Sequence, residues 1–153
     1  MDQSDHHPHE PVLLEETVSQ LITELNGTYL DCTIGFGGHS SEILKKLDKS
    51  GRLIGIDYDP YALEYSKERL KKSNKNFELF LSNYIDIKKN ITSLNLEQVD
   101  GILFDLGISS YQVDSKHRGF SYLQDESLDM RFNPDSGITA KDYINDISEH
   151  ELV

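Results

Sequence analysis

The chain has 153 residues, 15 basic against 27 acidic, and a formal net charge of -12. That length suits one domain with a core of its own, and that charge has the wrong sign for sequence-blind phosphate binding as the main activity, although a local patch can still read RNA. A single cysteine, Cys32, excludes an internal disulfide and points to a reducing, cytoplasmic setting, and no apolar run reaches the length of a membrane span.

Residues 1–10 read as a flexible, solvated tail. They hold Asp2, Asp5 and Glu10 and no Arg, which argues against a mitochondrial presequence, and the basic and apolar regions of a secretory signal are missing. His6, His7 and His9 lack the Cys or carboxylate spacing that would complete a ligand set, so no metal is expected. From 12 to 25, the spacing of Leu14, Val18, Leu21, Ile22 and Leu25 predicts a helix with one apolar face, closed by Asn26-Gly27.

A short strand follows at Thr28 to Leu30, and Asp31-Cys-Thr-Ile-Gly-Phe-Gly-Gly-His39 then turns it into a helix over 39–49. Gly35, Gly37 and Gly38 allow positive φ and a close approach by a ligand. The helix N-terminus offers unpaired N–H groups, and Asp31 offers an acceptor. A GxGG turn alone is a weak signal. Here a second apolar strand, 52–57, closes on Asp57 about twenty residues beyond Gly37, where an acid is placed to bind ribose hydroxyls. The combination predicts a nucleoside-bearing cofactor. Cys32 reads as a small buried filler rather than a nucleophile.

Asp59-Pro60 opens the next helix as N-cap and first residue, with Ala62, Leu63, Ser66 and Leu70 facing inward. Phe77 to Leu81 reads as a third strand, 85–94 as a weaker helix, and Val99 to Phe104 as a fourth strand covered on both faces and ending at Asp105. Strands alternating with helices predict an α/β fold with a doubly wound parallel sheet. In the order 3-2-1-4, the crevice between strands one and four is the ligand site. From 106 to 137 no period is sustained, yet Tyr111, Phe120, Tyr122, Leu128, Met130 and Phe132 supply anchors, and Lys116, His117, Arg118 and Arg131 lower the acidity. This segment is expected to cover the crevice and contact an anionic substrate. Thr139 with Asp142, and Ser148 with Glu151, look like capping boxes opening two helices.

Together these residues resemble one family. His9-Glu-Pro-Val-Leu-Leu-Glu-Glu16, Tyr29-Leu-Asp-Cys-Thr-Ile-Gly-Phe-Gly-Gly-His-Ser40, Gly55-Ile-Asp-Tyr-Asp59, Asp105-Leu-Gly-Ile-Ser-Ser110 with Gln112, Arg118-Gly-Phe-Ser121 and Leu128-Asp-Met-Arg131 are similar to the MraW family. The resemblance runs from about His9 to Asp142. It implies a Rossmann-like S-adenosylmethionine-dependent methyltransferase fold and methylation of the exocyclic N4 of a cytidine in small-subunit ribosomal RNA, free or in the assembling subunit. It places Gly37, Gly38 and His39 at the methionine end of the cofactor, Asp57 at the ribose, Tyr84 beside the adenine, Asp105 at the reacting centre and Gln112 against the cofactor. Tyr111 stands where many members have Pro. The family continues through an inserted helical domain involved in RNA recognition and then returns to the sheet. The expected organisation is therefore a tail at 1–10, an incomplete methyltransferase domain at 11–137 and the start of a truncated helical domain at 138–153.

The candidate site comprises Asp105, Ser109 and Ser110 for catalysis, and Asp31, Gly35, Gly37, Gly38, His39, Asp57, Tyr84, Asp105 and Gln112 for the cofactor. Arg118 and Arg131 are the candidates for RNA phosphate. An exocyclic cytosine amine is a poor nucleophile, so Asp105 with the 107–110 segment is expected to orient it and accept its hydrogen bonds, on a base splayed from its stack. Two alternatives stay open. A nicotinamide-dependent oxidoreductase also uses a glycine turn and an acid, but Ser40 replaces the usual last Gly or Ala of that fingerprint. A non-catalytic fragment would keep only the cofactor pocket.

Overall fold

The computed structural model describes residues 11–152; the tail expected at 1–10, with its three histidines, lies outside them. The chain divides after Gly107 into two compact units.

The first unit alternates helix and strand: α1 (Leu14–Leu21), β1 (Thr28–Asp31), α2 (Gly38–Lys46), β2 (Arg52–Asp57), α3 (Pro60–Leu70), β3 (Asn76–Leu81), α4 (Ile87–Ser93) and β4 (Gly101–Leu103). All pairings are parallel, in the order β3-β2-β1-β4. Leu30 stands opposite both Ile54 and Ile102, and Asp31 opposite Gly55 and Leu103. The expected α/β sheet and strand order are therefore present, and the chain reverses its winding between β1 and β4.

Alternation along the strands assigns each side chain to one of two apolar layers. Tyr29, Leu53 and Leu103 join Val18, Ile43, Leu44, Leu47 and Leu70 on the layer covered by α1, α2 and α3. Leu30, Cys32, Ile54 and Ile56 form the other layer, with Phe80, Ile87 and Ile91 packed against it. Each fully buried Leu or Ile contributes about 1.5–3 kcal/mol of transfer free energy. In α3, Asp59 accepts from Tyr61 N–H at 3.0 Å and Pro60 takes the first position. Ala62, Ser66 and Leu70 are buried as the spacing predicts.

Three boundaries differ from the sequence reading. α1 ends at Leu21 rather than near Leu25, because Ile22 is already extended and Tyr29 Oη gathers the backbone N–H groups of Thr23 and Glu24 at 3.0 and 2.9 Å. Leu25, placed on the inward face by periodicity, is consequently exposed. β4 is confined to three residues, and its Ile102 is exposed while Leu103 is buried, so it is covered on one face only. The weak helix expected over 85–94 is a 3-10 turn, Tyr84–Asp86, followed by α4.

The second unit contains α5 (Ser110–Asp114), α6 (Ala140–Asp146) and α7 (Glu149–Leu152). The short α5 escaped the periodicity search because five residues are too few to show a period. Of the two predicted capping boxes, one forms in full: Thr139 Oγ1 accepts from Asp142 N–H at 3.0 Å and Asp142 accepts from Thr139 N–H at 3.3 Å. At Ser148 only half forms, since Glu151 accepts from Ser148 N–H and Oγ at 3.2 and 2.6 Å while Glu151 N–H donates to the Ser148 backbone carbonyl. Among the described residues no helix is long and apolar enough to cross a membrane.

Candidate active site

The carboxyl ends of the first unit's strands carry the candidate residues, and those of β1, β2 and β3 are followed by short carboxylate or amide turns at Asp31, Asp57 and Asn83. Asp31 closes β1 and is 1% exposed. Its Oδ1 accepts from Thr33 N–H at 3.1 Å and its Oδ2 from Ser40 Oγ at 2.7 Å. Burial raises its pKa to about 6, against the pull of those two hydrogen bonds. Asp31 thus braces both ends of the glycine turn, with Oδ1 on Thr33 at its start and Oδ2 on Ser40 in the first turn of α2.

Asp57 closes β2 in the same way. Its Oδ1 accepts from Asp59 N–H at 2.9 Å, and its Oδ2 accepts from Gly35 N–H at 2.7 Å. Desolvation raises its pKa, opposed by backbone donors that include those of Asp59 and Gly35. Asp57 is half-buried, and the Tyr58 backbone also contributes a hydrogen bond to its carboxylate. The bond to Gly35 joins the two features that the sequence could only relate by spacing.

Gly35 and Gly37 take φ of 50° and 74°, in the left-handed region. At Gly37 a Cβ would stand 3.2 Å from Ser66 Cβ, so α3 closes against the turn. At Gly38 it would fall 2.2 Å from Pro11 Cγ. The other side of the turn is open, since a Cβ on Gly35 would meet nothing nearer than Thr33 O at 3.9 Å. Tyr84, after β3, stands edge-on to Phe104, after β4, with ring centroids 5.9 Å apart and both rings exposed. An exposed aromatic pair, an open glycine turn and a half-buried carboxylate fit the adenine, methionine and ribose parts of a nucleoside cofactor.

His39 is buried, with Nε2 3.2 Å from Val12 O and Nδ1 3.8 Å from Asp105 Oδ2. The Asp105 side chain is 51% exposed, while its backbone N–H donates to Thr33 Oγ1 at 2.7 Å. Thr33 was not singled out in the sequence. It connects the β1 turn, through its own N–H to Asp31, with Asp105, two residues beyond β4, through its hydroxyl. The signal was present in Asp31-Cys-Thr33, an Asx-turn spacing, but the partner lies 72 residues away and is set only by the β1–β4 pairing. Cys32 is buried, and burial pushes its thiol up to about 12, which leaves no thiolate for nucleophilic chemistry at neutral pH.

The remaining candidates belong to the second unit. Ser109 caps α5: its Oγ accepts from Gln112 N–H at 3.2 Å, and Gln112 Oε1 accepts from Ser109 N–H at 3.0 Å, with Gln112 buried. Ser110 is the exposed first residue of that helix. Arg118 Nη2 donates to the carbonyls of Arg131 and Phe132 at 3.3 and 2.9 Å. Arg131 makes a two-point contact with Asp129, Nε to Oδ1 at 2.9 Å and Nη2 to Oδ2 at 2.7 Å, and it holds the Asp129 carboxyl below the usual carboxylate range. The structure therefore gives both arginines partners within this unit. Among the described residues no group of His, Cys, Asp and Glu is placed to hold a metal ion.

The family model described as the MraW methylase family matches residues 6–153. The chain belongs to that family. Curated relatives named "Ribosomal RNA small subunit methyltransferase H" agree. The one from Acetivibrio thermocellus is 47% identical over 146 residues, which are 94% of this chain and 47% of the relative. That from Mycoplasmopsis agalactiae is 49% identical over 145 residues, 95% of this chain and 48% of the relative. The chain thus spans about half the length of the curated relatives it matches. Among solved structures, NSun6 from Pyrococcus horikoshii shares the fold with a TM-score of 0.52 at 19% identity, over 73% of this chain and 27% of that one. For a methylase domain built this way, the expectation of S-adenosylmethionine as methyl donor stands.

Proposed function

We propose that this chain is the cofactor-binding portion of an S-adenosylmethionine-dependent methyltransferase acting on the exocyclic N4 of a cytidine in small-subunit ribosomal RNA. One observation carries most weight: the glycine turn after β1 is tied to the acid after β2 by the Gly35 N–H to Asp57 bond, in a chain of the MraW methylase family. When bound, S-adenosylmethionine supplies a methyl group activated on a sulfonium.

The chain's own residues then have separable roles. Asp57 accepts from the ribose hydroxyls, and Gly37, Gly38 and His39 border the methionine end. Tyr84, with Phe104, flanks the adenine. Asp31 acts through the turn that it braces. Asp105 accepts hydrogen bonds from the cytosine amine, orienting its nitrogen and stabilising positive charge as the new N–C bond forms. Ser110 supplies an exposed hydroxyl. Ser109, whose oxygen accepts from the Gln112 backbone, keeps its proton to donate, and Gln112 retains the cofactor contact that the resemblance assigns. Arg118 and Arg131 order their own segment first, so any phosphate contact uses donors left over from that task. The relatives' names favour a ribosomal RNA substrate. Residues 138–153, with α6 and α7, open the helical domain that the resemblance places after the cofactor domain.

The test is transfer of labelled methyl from S-adenosylmethionine to small-subunit ribosomal RNA or assembling subunits, followed by nucleoside mass spectrometry. N4-methylcytidine formed by the chain, and lost with Asp105→Ala, is the expected result. Methyl incorporation at any other atom would overturn the assignment of the amine. Cofactor binding without transfer would instead support the alternative reading, a non-catalytic portion that keeps the pocket.

A further inference from the structure

Arg118 and Arg131 were chosen from the sequence as RNA contacts, yet they spend hydrogen bonds on their own unit. A different cationic stretch stands beside the glycine turn. Residues 60–75 hold Lys67, Arg69, Lys71, Lys72 and Lys75 against only Glu64 and Glu68, in a chain of net charge -12. A charge run on a helix is ordinarily a solvated face, so the placement of the aromatic residues among these cations decides the matter.

Tyr61, Tyr65 and Arg69 recur every four residues along α3, and Lys72 follows in the 3-10 turn that continues it. This spacing puts them on one face over roughly 16 Å of helix. Tyr61 is 50% exposed and Tyr65 39%. Both rings are braced from one side by Phe36 of the glycine turn, edge-on at 6.3 and 5.0 Å. Arg69 Nη1 donates to Phe36 O at 3.2 Å, which fixes the guanidinium at the same border. Lys71 pairs with Glu68, and Lys67 lies 3.6 Å from Glu64. Exposed pairs of this kind are weak and screened, so they yield to a phosphate. Lys72 is exposed. Braced aromatic surfaces interleaved with cations match a single-stranded nucleic acid, whose bases stack on rings while its phosphates meet charge. They match neither an acidic peptide, which has no use for the rings, nor a duplex, whose bases are already stacked.

We propose that the Tyr61–Tyr65–Arg69–Lys72 face of α3 docks single-stranded RNA, with bases stacked on the two tyrosines and phosphates along Arg69, Lys71 and Lys72. The proposal rests on the methyltransferase reading only for its expectation that RNA is the substrate. None of these four residues belongs to the cofactor or reacting-group set above.

The experiment measures binding of a fluorescent single-stranded RNA of about twelve nucleotides to the 153-residue chain by anisotropy, across a salt series. Tyr61→Ala/Tyr65→Ala, Tyr61→Phe/Tyr65→Phe and Lys72→Ala are compared. Each protein is also titrated with S-adenosylmethionine. Loss of stacking should weaken binding about 5- to 150-fold for each ring removed, while the phenylalanine pair keeps near wild-type affinity. Lys72→Ala should reduce the slope of log affinity against log salt by about 0.7. Unchanged cofactor affinity in the alanine pair shows that the turn is intact. No RNA binding by the wild type, an alanine pair that binds as well as the wild type, or equal binding to duplex RNA or to polyglutamate would overturn the docking face. A wild type that fails to bind S-adenosylmethionine would count against the proposed function instead, and the RNA titration would still judge this surface.

Discussion

Up to Gly107 the chain hides aliphatic side chains on both faces of a parallel sheet; from Ile108 onward it hides almost none. Every buried hydrophobic side chain among the described residues falls in the first unit, whereas the buried side chains of the second are Gln112 and Asn133. The second unit is held by directed contacts instead: Arg131 on Asp129, Arg118 on two carbonyls, Glu126 accepting from Gly119 N–H at 3.0 Å and from His117 N–H, and an edge-on Phe120–Phe132 pair at 5.6 Å. Burial resists perturbation in proportion to area, while a hydrogen-bonded network fails at single points. The two regions should therefore respond differently to substitution, salt and pH.

The largest effect belongs to the core of the first unit. Leu44→Ala removes a fully buried side chain and should cost about 2–5 kcal/mol in denaturant unfolding. A loss below about 1 kcal/mol would mean that this sheet is not the stabilising element. Gly119→Ala is the corresponding stress on the second unit. Gly119 has φ 71°, and its added Cβ would lie 2.5 Å from Asp129 N and 2.6 Å from Ser127 O. Both are backbone atoms, so the loop must shift. The expected cost is about 1–3 kcal/mol, read by hydrogen exchange as lost protection over 117–141, with the sheet amides of the first unit unchanged.

Titration should separate the regions as well. The pKa of Asp31 is raised to about 6 by burial, so the stability it contributes is fully present below the unfolded value, near 4, and is lost as pH rises through about 6. Asp31→Asn should remove that loss. Between pH 4 and pH 7 the variant should gain about 2–3 kcal/mol relative to wild type, and equal pH profiles would contradict the buried, protonatable Asp31. Asp129 shows the opposite sign. Its pKa is lowered chiefly by the hydrogen bond from Arg131, so its contribution is present above the unfolded value and is lost as pH falls below it. Arg131→Ala should cost only about 1 kcal/mol at neutral pH, less in high salt, with the difference disappearing in acid.

Thr33 gives a small effect on stability and the most local one. Thr33→Val deletes the acceptor for Asp105 N–H and should cost about 1–2 kcal/mol. It should also shift and deprotect the Asp105 amide in NMR exchange. Thr33→Ser should restore both. An Asp105 amide that exchanges equally in all three proteins would show that the hydroxyl does not hold it.

The contrast between the units also explains what was legible in the sequence. In the first unit the signals were local and redundant: the apolar runs of β1 and β2, the Asp59-Pro60 start of α3, and the positions of Ile43, Leu44 and Leu47 all survive in the structure. Leu25 failed because periodicity continues in sequence after a helix has stopped in space, and Tyr29 Oη, not the apolar spacing, sets that stop. Ile102 failed because an apolar run records composition, not whether a neighbouring element covers both faces. At the site, the glycines and Asp57 were readable as a spacing, but the Gly35–Asp57 bond and the Thr33–Asp105 bond arise from strand pairing across 22 and 72 residues. The second unit, built from polar contacts without a period, yielded one capping box in full, half of another and little else.

The most direct measurement is isothermal titration of the 153-residue chain with S-adenosylmethionine, beside Asp57→Ala, with circular dichroism confirming that both are folded. The account predicts saturable one-site binding by the wild type, with the variant losing about 1.5–3 kcal/mol of affinity, as for removal of a charged hydrogen-bond partner. A folded wild type that binds no S-adenosylmethionine, or an Asp57→Ala variant that binds it equally well, would contradict the placement of the cofactor site at the β1 glycine turn.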